Sequence, residues 1–161
     1  MTEETETEWA EWANWFLAGI LVFILGAYMY RYLNPNQPEG LVGSSAPALQ
    51  LESARGEGQV RVSEYRGQVV VLDFWATWCK VCERQMPKLK EAMNRSEIAD
   101  RATLVLVNTQ EKQANRRKRV RRYLAKRNLE FPTALDDGSA IRDYRVRGLP
   151  TMVVIDAEGT V

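Results

Sequence analysis

The chain has 161 residues, enough for one domain and an appendage, and 45% of them are hydrophobic, as in an ordinary globular protein. Its net charge of +1 indicates no class of partner, although residues 1–11 are acidic and residues 112–127 are strongly basic. With two cysteines and no histidine, a single chain lacks the usual four ligands of a structural zinc site.

The first predicted element is a membrane-spanning helix over residues 12–33, which follows an acidic tail over residues 1–11. Residues 15–30 contain no charged or strongly polar side chain, and aromatic residues lie at both ends of the span, as in an interfacial belt. A cleaved signal peptide would need a basic start and a small-residue cleavage site, and neither is present. The pattern therefore predicts an uncleaved anchor, with a buried core helix as the alternative.

A polar linker is predicted over residues 34–42, because Pro35 and Pro38 cannot continue the helix. The globular domain then covers residues 43–161. Short apolar runs predict its strands at residues 60–62, 69–72, 103–107 and 152–155. Helical periodicity predicts one helix from Cys79 to Met93, with Pro87 inside it, and a second from Glu111 to Asn128. Their predicted inward residues are Val81, Met86, Leu89 and Met93 in the first helix and Val120, Tyr123 and Leu124 in the second. The order strand–helix–strand implies a parallel pair with a crossover connection.

The two cysteines lie where a predicted buried strand passes into a predicted helix. Cys79 is placed at the helix N-terminus, where unpaired N–H groups and the helix dipole stabilise a thiolate. Cys82 lies one turn further in and can reach the same sulfur to close a disulfide. A purely structural disulfide and a pair of buried small hydrophobes are the alternatives, but a loop this short restricts the unfolded chain very little. The pattern therefore predicts a redox-active dithiol.

The segment from Asp73 to Cys82, Asp-Phe-Trp-Ala-Thr-Trp-Cys-Lys-Val-Cys, resembles the active-site motif of the thioredoxin superfamily. Residues 147–151, Arg-Gly-Leu-Pro-Thr, resemble the cis-proline loop of that superfamily. Patterns beginning at Gly43 and at Ser63 are similar to those of membrane-anchored TlpA/ResA/DsbE-type thiol-disulfide oxidoreductases. The resemblance implies an α/β, thioredoxin-like fold with a central mixed sheet flanked by helices. It also implies that the final strand and helix of that fold are missing after Val161.

The resemblance and local chemistry together give roles to the site residues. Cys79 is the expected nucleophile and Cys82 the resolving thiol. Trp78, Lys80, Leu149 and Pro150 are expected to contact substrate, with Pro150 in a cis peptide bond. The charge of Lys80 would also favour the thiolate, unless this lysine is simply solvated. No metal or cofactor is expected.

Asp73 lies six residues before Cys79, in the predicted buried strand. A desolvated carboxylic acid has a raised pKa and can exchange a proton with Cys82 during resolution. The alternative is an aspartate at the end of a strand that reaches solvent.

The resemblance implies a reductant of disulfides in exported proteins, such as apocytochromes during cytochrome c maturation. A membrane electron donor would recharge it, and its domain would lie outside a bacterial cytoplasmic membrane. Arg31 opposes this topology, because the positive-inside rule alone places the residues after it in the cytoplasm. The alternatives are a disulfide-forming oxidant and a binding module that uses the basic helix for anionic lipid or an acidic protein. Nucleic acid is not an expected partner, because no aromatic residues are interleaved for base stacking.

Overall fold

The structure is a computed structural model that describes residues 4–33, 40–56, 58–112 and 114–161, which divide into two compact units. The first unit contains one helix, α1 (Glu4–Leu33), so the helix begins inside the predicted acidic tail. Within it, Trp15–Leu33 is a stretch of 19 residues that is long and apolar enough to cross a membrane. Of the predicted linker, residues 34–39 lie outside the described residues.

The second unit is a mixed α/β domain, which confirms the predicted fold class. Its strands are β1 (Gln50–Ser53), β2 (Gln59–Arg61), β3 (Val69–Trp75), β4 (Ala102–Asn108), β5 (Thr133–Leu135) and β6 (Thr151–Ile155). Its helices are α2 (Lys80–Met93), α3 (Ser96–Ala99), α4 (Arg116–Lys126) and α5 (Ser139–Asp143), with a 3-10 turn at Val62–Tyr65. They flank a six-stranded sheet of order β2-β1-β5-β4-β3-β6.

Strand β3 lies between β4, with which it pairs in parallel, and the antiparallel β6. Its side chains alternate between the two faces of the sheet. Leu72 and Phe74 enter one hydrophobic cluster, while Trp75 enters the other, which also contains both cysteines. The carboxyl end of β3 is therefore fixed on both faces at the point where the chain turns into α2.

Helix α2 carries the cysteines and follows the predicted apolar pattern in part. Met86 and Met93 are buried, whereas Val81, predicted as an inward position, is 50% exposed. Val81 lies in the first turn, between the two cysteines, where the helix end opens to solvent. Pro87 lies inside the helix, as predicted.

Helix α4 is shorter than predicted, because the chain does not become helical until Arg116. Asn115, the residue before it, has a left-handed backbone with φ of 56°. Glu111, predicted to begin the helix, instead accepts a hydrogen bond from the Thr77 backbone. The predicted inward face of the helix is confirmed by the burial of Val120, Tyr123 and Leu124.

Candidate active site

The two cysteines form a disulfide at the amino end of α2. Cys79 is the N-cap residue, and its Sγ accepts a hydrogen bond of 3.1 Å from the backbone N–H of Cys82. This donor belongs to the first helical turn, where N–H groups lack helical partners, so it can also stabilise a Cys79 thiolate. Cys79 is 6% exposed and Cys82 is 1% exposed, so an incoming sulfur meets Cys79 first.

Asp73 is buried within β3, opposite Leu106 of β4 and Met152 of β6. Its residue is 1% exposed, which excludes the solvent-reaching alternative. Alternation along the strand directs it to the same face of the sheet as Trp75, the face that α2 covers. Its Oδ1 has no hydrogen-bond partner among the described residues. Desolvation by burial raises the pKa of Asp73 to about 7.

The loop before β6 contains the expected cis peptide bond, between Leu149 and Pro150. Leu149 packs against the cluster that contains Cys79 and Cys82, so the sequence-predicted loop and dithiol come together. The Thr151 hydroxyl donates a hydrogen bond of 2.7 Å to the Gly148 carbonyl, which ties the end of the loop to the start of β6. The loop that carries the cis bond therefore lies beside the dithiol.

Trp78 and Lys80 flank Cys79 in different ways. Trp78 is 55% exposed, and its indole N–H donates a hydrogen bond of 3.0 Å to the Gln110 carbonyl. This bond holds the exposed indole ring of Trp78 next to Cys79 in the chain. The Lys80 side chain is 84% exposed, and its ammonium lies 3.7 Å from a Glu83 carboxylate oxygen. Its charge is thus directed to solvent and to Glu83.

The Glu111 carboxylate holds the active-site loop through a hydrogen bond from the Thr77 backbone. This role was not predicted from the sequence. Its side chain is 2% exposed and lies 3.0 Å from the Arg119 guanidinium. It accepts hydrogen bonds from the Thr77 backbone N–H and from the Asn108 side chain. Burial alone would raise the pKa of Glu111, but these hydrogen bonds outweigh it and lower the pKa. The only sequence signal was an isolated acid just after a buried strand and before a basic segment.

The buried Arg116 links the end of β4 to the residue that follows β5. The Arg116 guanidinium donates to the Asn108 backbone and side-chain oxygens and to the Asp136 carbonyl. The Thr109 hydroxyl in turn donates a hydrogen bond of 2.7 Å to the Asp136 carboxylate. These bonds hold the ends of β4 and β5 together, and Asn108 connects them to Glu111 and so to the active-site loop.

The Trp75 and Tyr123 side chains pack together on the side of the sheet that α2 and α4 cover. The Trp75 and Tyr123 ring centroids are 4.8 Å apart. The Arg127 guanidinium lies 3.7 Å above the Tyr123 ring and forms an ion pair with Glu83. Burial raises the pKa of Tyr123, so its hydroxyl stays neutral near Asp73. From its position in the sequence, Tyr123 was predicted only to face the hydrophobic core.

No group of three or more cysteine or acidic side chains that could hold a metal ion occurs within the described parts of the chain. The structure places the Cys79–Cys82 disulfide and the buried carboxyl of Asp73 on the same side of the sheet. This arrangement can exchange a disulfide and move a proton.

A dithiol at the start of a helix, beside a cis-proline loop on a mixed sheet, defines the thioredoxin-like thiol-disulfide oxidoreductases. The chain belongs to the AhpC/TSA family, whose sequence profile matches residues 42–161. It is an enzyme of the thiol-disulfide oxidoreductase kind within that family.

Curated relatives and a solved structure support this assignment. The thioredoxin-like protein YneN of Bacillus subtilis is 31% identical over 91% of this chain and 86% of its own length. The thiol-disulfide oxidoreductase ResA of Geobacillus thermodenitrificans is 34% identical over 88% of this chain and 79% of its own. A crystal structure from Chlorobium tepidum, described as a thiol:disulfide interchange protein DsbE, has a TM-score of 0.65 and 34% identity over 74% of this chain and 81% of that one.

Proposed function

We propose that this oxidoreductase is a membrane-anchored reductant of disulfides in exported proteins, including apocytochromes during cytochrome c maturation. A membrane electron donor would return the disulfide to the dithiol. The observation that carries the proposal is the buried carboxyl of Asp73, which lies on the face of the sheet covered by the dithiol helix and has a pKa near neutrality.

The reaction uses the groups of this site and one proton from water. The Cys79 thiolate attacks one sulfur of the substrate disulfide, which forms a mixed disulfide, and the other substrate sulfur leaves as a thiolate and takes up the proton from water. The Asp73 carboxylate then accepts the proton of Cys82. The Cys82 thiolate attacks the Cys79 sulfur and breaks the mixed disulfide, and the second substrate sulfur leaves as a thiolate that takes up the proton from Asp73. The substrate gains two electrons and two protons, and the enzyme holds the disulfide seen here.

The charges around Cys79 favour the reducing direction. Any group that stabilises the Cys79 thiolate stabilises the reduced protein and makes it more oxidising. The Cys82 N–H does so, but the Lys80 ammonium is exposed and lies beside Glu83. When Asp73 is ionised, its buried charge disfavours a second anion nearby. We therefore expect a potential nearer the roughly −270 mV of thioredoxin than the −120 mV or so of DsbA.

A redox titration tests this direction. The protein is equilibrated with reduced and oxidised glutathione, and the fluorescence of Trp75 and Trp78 reports the fraction with a disulfide. A potential more positive than about −150 mV would refute the reductase proposal and identify a disulfide-forming oxidant on the same scale.

The proposed location is the cytoplasmic membrane of a bacterium, with one span and the catalytic domain outside. The length and composition of Trp15–Leu33 support the span, whereas Arg31 in the last turn of α1 opposes this orientation. In intact spheroplasts a membrane-impermeant thiol reagent should label Cys79 of the reduced protein. Protection in spheroplasts, with labelling after lysis, would place the domain in the cytoplasm, where disulfide substrates are rare.

The span itself can be tested by alkaline washing of membranes. The full chain should stay in the pellet, and a chain without residues 1–33 should not. Release of the full chain by the wash would contradict an integral anchor and leave only peripheral attachment.

A further inference from the structure

Helix α4 presents a strongly basic face to solvent, on the side opposite its buried residues. The residues of this basic face are Lys118, Arg121, Arg122 and Lys126, and all four are exposed. They recur at intervals of three, four and eight residues, so they line one side of the helix, with the exposed Ala125 among them. The opposite side packs Val120 and Leu124 into the core, which fixes the direction of the basic face.

The four cations of this face form no ion pair within the described residues. Three other arginines of the same segment do have acidic partners: Arg117 pairs with Glu52, Arg119 with Glu111 and Arg127 with Glu83. No ion pair joins any carboxylate of the described residues to the four cations of the basic face. The paired arginines therefore lie outside the basic face, whose own four cations have no carboxylate partner among the described residues.

Unpaired like charges are unfavourable for an isolated helix. Lys118 and Arg122 are four residues apart, as are Arg122 and Lys126, and like charges at this spacing destabilise a helix. Neither the hydrophobic core nor the active-site support uses these four side chains. An anionic surface outside the domain would remove the repulsion.

The chain itself determines which anionic surface is closest. Seven residues, 34–40, separate Leu33, where the apolar span ends, from Leu41, the first residue of the hydrophobic core. An extended chain covers at most about 3.5 Å per residue, so the linker keeps the domain close to any bilayer that α1 spans. Such a tether raises the effective concentration of the lipid headgroups at the basic face. Single-stranded nucleic acid fits less well, because Tyr123 is buried and gives this face no aromatic surface for base stacking.

We propose that the basic face of α4 binds the anionic headgroups of the membrane that anchors the chain. The contact is electrostatic, with four cations on the phosphates of acidic phospholipids. It would hold the domain against the bilayer in one preferred orientation and hence limit the directions from which substrates reach Cys79. The inference rests on the membrane span proposed above, but not on the direction of electron transfer.

The test uses the full chain with its disulfide intact, in nanodiscs of phosphatidylcholine alone or of equimolar phosphatidylcholine and phosphatidylglycerol. An amine-reactive acylating reagent labels lysines, and mass spectrometry follows the rate at each residue. Lys118 and Lys126 should react more slowly in the anionic discs, whereas the exposed Lys88 of α2 should react at the same rate in both. High salt should remove the difference, because it screens the contact.

A double variant tests whether the basic face itself causes the protection. It replaces two arginines and keeps Lys118 and Lys126, whose acylation is measured. Each basic residue near an anionic surface contributes about a fivefold factor to association. Arg121→Gln with Arg122→Gln should therefore reduce the lipid-dependent protection of Lys118 by up to about thirtyfold. The matched control, Arg95→Gln with Arg101→Gln, removes the same charge from exposed positions outside α4 and should leave the protection unchanged.

Equal acylation rates in the two kinds of disc would overturn the proposal, as would an equal slowing of Lys88. If polyglutamate added to the phosphatidylcholine discs protects Lys118 when anionic lipid does not, the face binds an acidic protein instead. Loss of the chain from the disc fraction would refute the span and this proposal together. A glutathione titration of the same sample would still measure the redox function.

Discussion

Replacing Asp73 by asparagine should stabilise the domain at neutral and alkaline pH while impairing the reaction. Burial raises the pKa of this carboxyl from its ordinary 3.8 to about 7. Each pH unit between those values corresponds to about 1.4 kcal/mol, so the ionised carboxylate costs up to about 4 kcal/mol of folding free energy. Because the group is 1% exposed, solvent screening does not reduce this cost.

The sign of the pH dependence follows from proton binding. Between pH 3.8 and about 7 the folded state keeps a proton on Asp73 that the unfolded state has lost. The contribution of this residue to stability therefore falls as the pH rises through that window, and it is constant above it. Asp73→Asn carries no such charge, so its free energy of unfolding should exceed that of the unaltered protein by up to about 4 kcal/mol at pH 8. The two should converge near pH 4.

Urea unfolding of the full chain in mild detergent, from pH 4 to pH 9 and with the disulfide intact, measures this difference. Asp100→Asn, at an exposed position, controls for the loss of a carboxylate as such. A difference between Asp73→Asn and the unaltered protein that does not change with pH would refute the reasoning. So would a variant that is less stable at pH 8 by as much as at pH 4.

The same variant separates stability from catalysis. If the Asp73 carboxylate accepts the proton of Cys82, reduction of a protein disulfide such as that of insulin should speed up as the pH rises through about 7. Asp73→Asn should lose this rise and slow the reaction roughly a hundredfold, the lower range for general base catalysis. An unchanged rate and pH profile would leave the buried acid without a catalytic role.

Two further predictions concern the nucleophile and its support. Cys82→Ser should accumulate a mixed disulfide through Cys79, detected on non-reducing gels, whereas Cys79→Ser should accumulate none. A mixed disulfide formed only through Cys82 would reverse the roles of nucleophile and resolving thiol. Glu111→Gln should lower the free energy of unfolding by about 1.5–3 kcal/mol, the usual range for hydrogen bonds to a charged group, and slow the reaction because the Thr77 loop loosens. Glu130→Gln, at an exposed position, is the control, and equal effects of the two changes on urea unfolding would exclude a supporting role for Glu111.

The centre of the site could be predicted because its residues are close together in the sequence. The apolar run before Asp73 and the cysteine spacing after it define a strand that passes into a helix, and the structure has both, with Cys79 at the helix cap. The same local pattern favoured burial of Asp73 over an aspartate at the strand end that reaches solvent, and the structure shows the burial. The cis bond before Pro150 was expected from the resemblance and is present.

The contact between Glu111 and the active-site loop could not be predicted, because it depends on where the chain changes direction after β4. Gln110 and Asn115 both have positive φ, and these reversals turn Glu111 inward toward Thr77. In the sequence, Glu111 fits the helical pattern that follows it equally well. Strand β5, only three residues long, is likewise fixed by its neighbours β4 and β1 rather than by a pattern of its own.

We expect the direction of electron transfer to depend more on the buried charge of Asp73 than on the charge of Lys80 between the cysteines. Lys80 stands directly after the nucleophile, but its side chain is 84% exposed, so water and Glu83 screen its effect on the Cys79 thiolate. Asp73 lies further away in the sequence, yet its surroundings are apolar, and charges interact more strongly where the dielectric constant is low. We therefore expect an anion at Asp73 to oppose a Cys79 thiolate more than the exposed Lys80 cation favours it. This balance supports the proposal that the dithiol acts as a reductant, because a destabilised thiolate makes the reduced protein give up its electrons more readily.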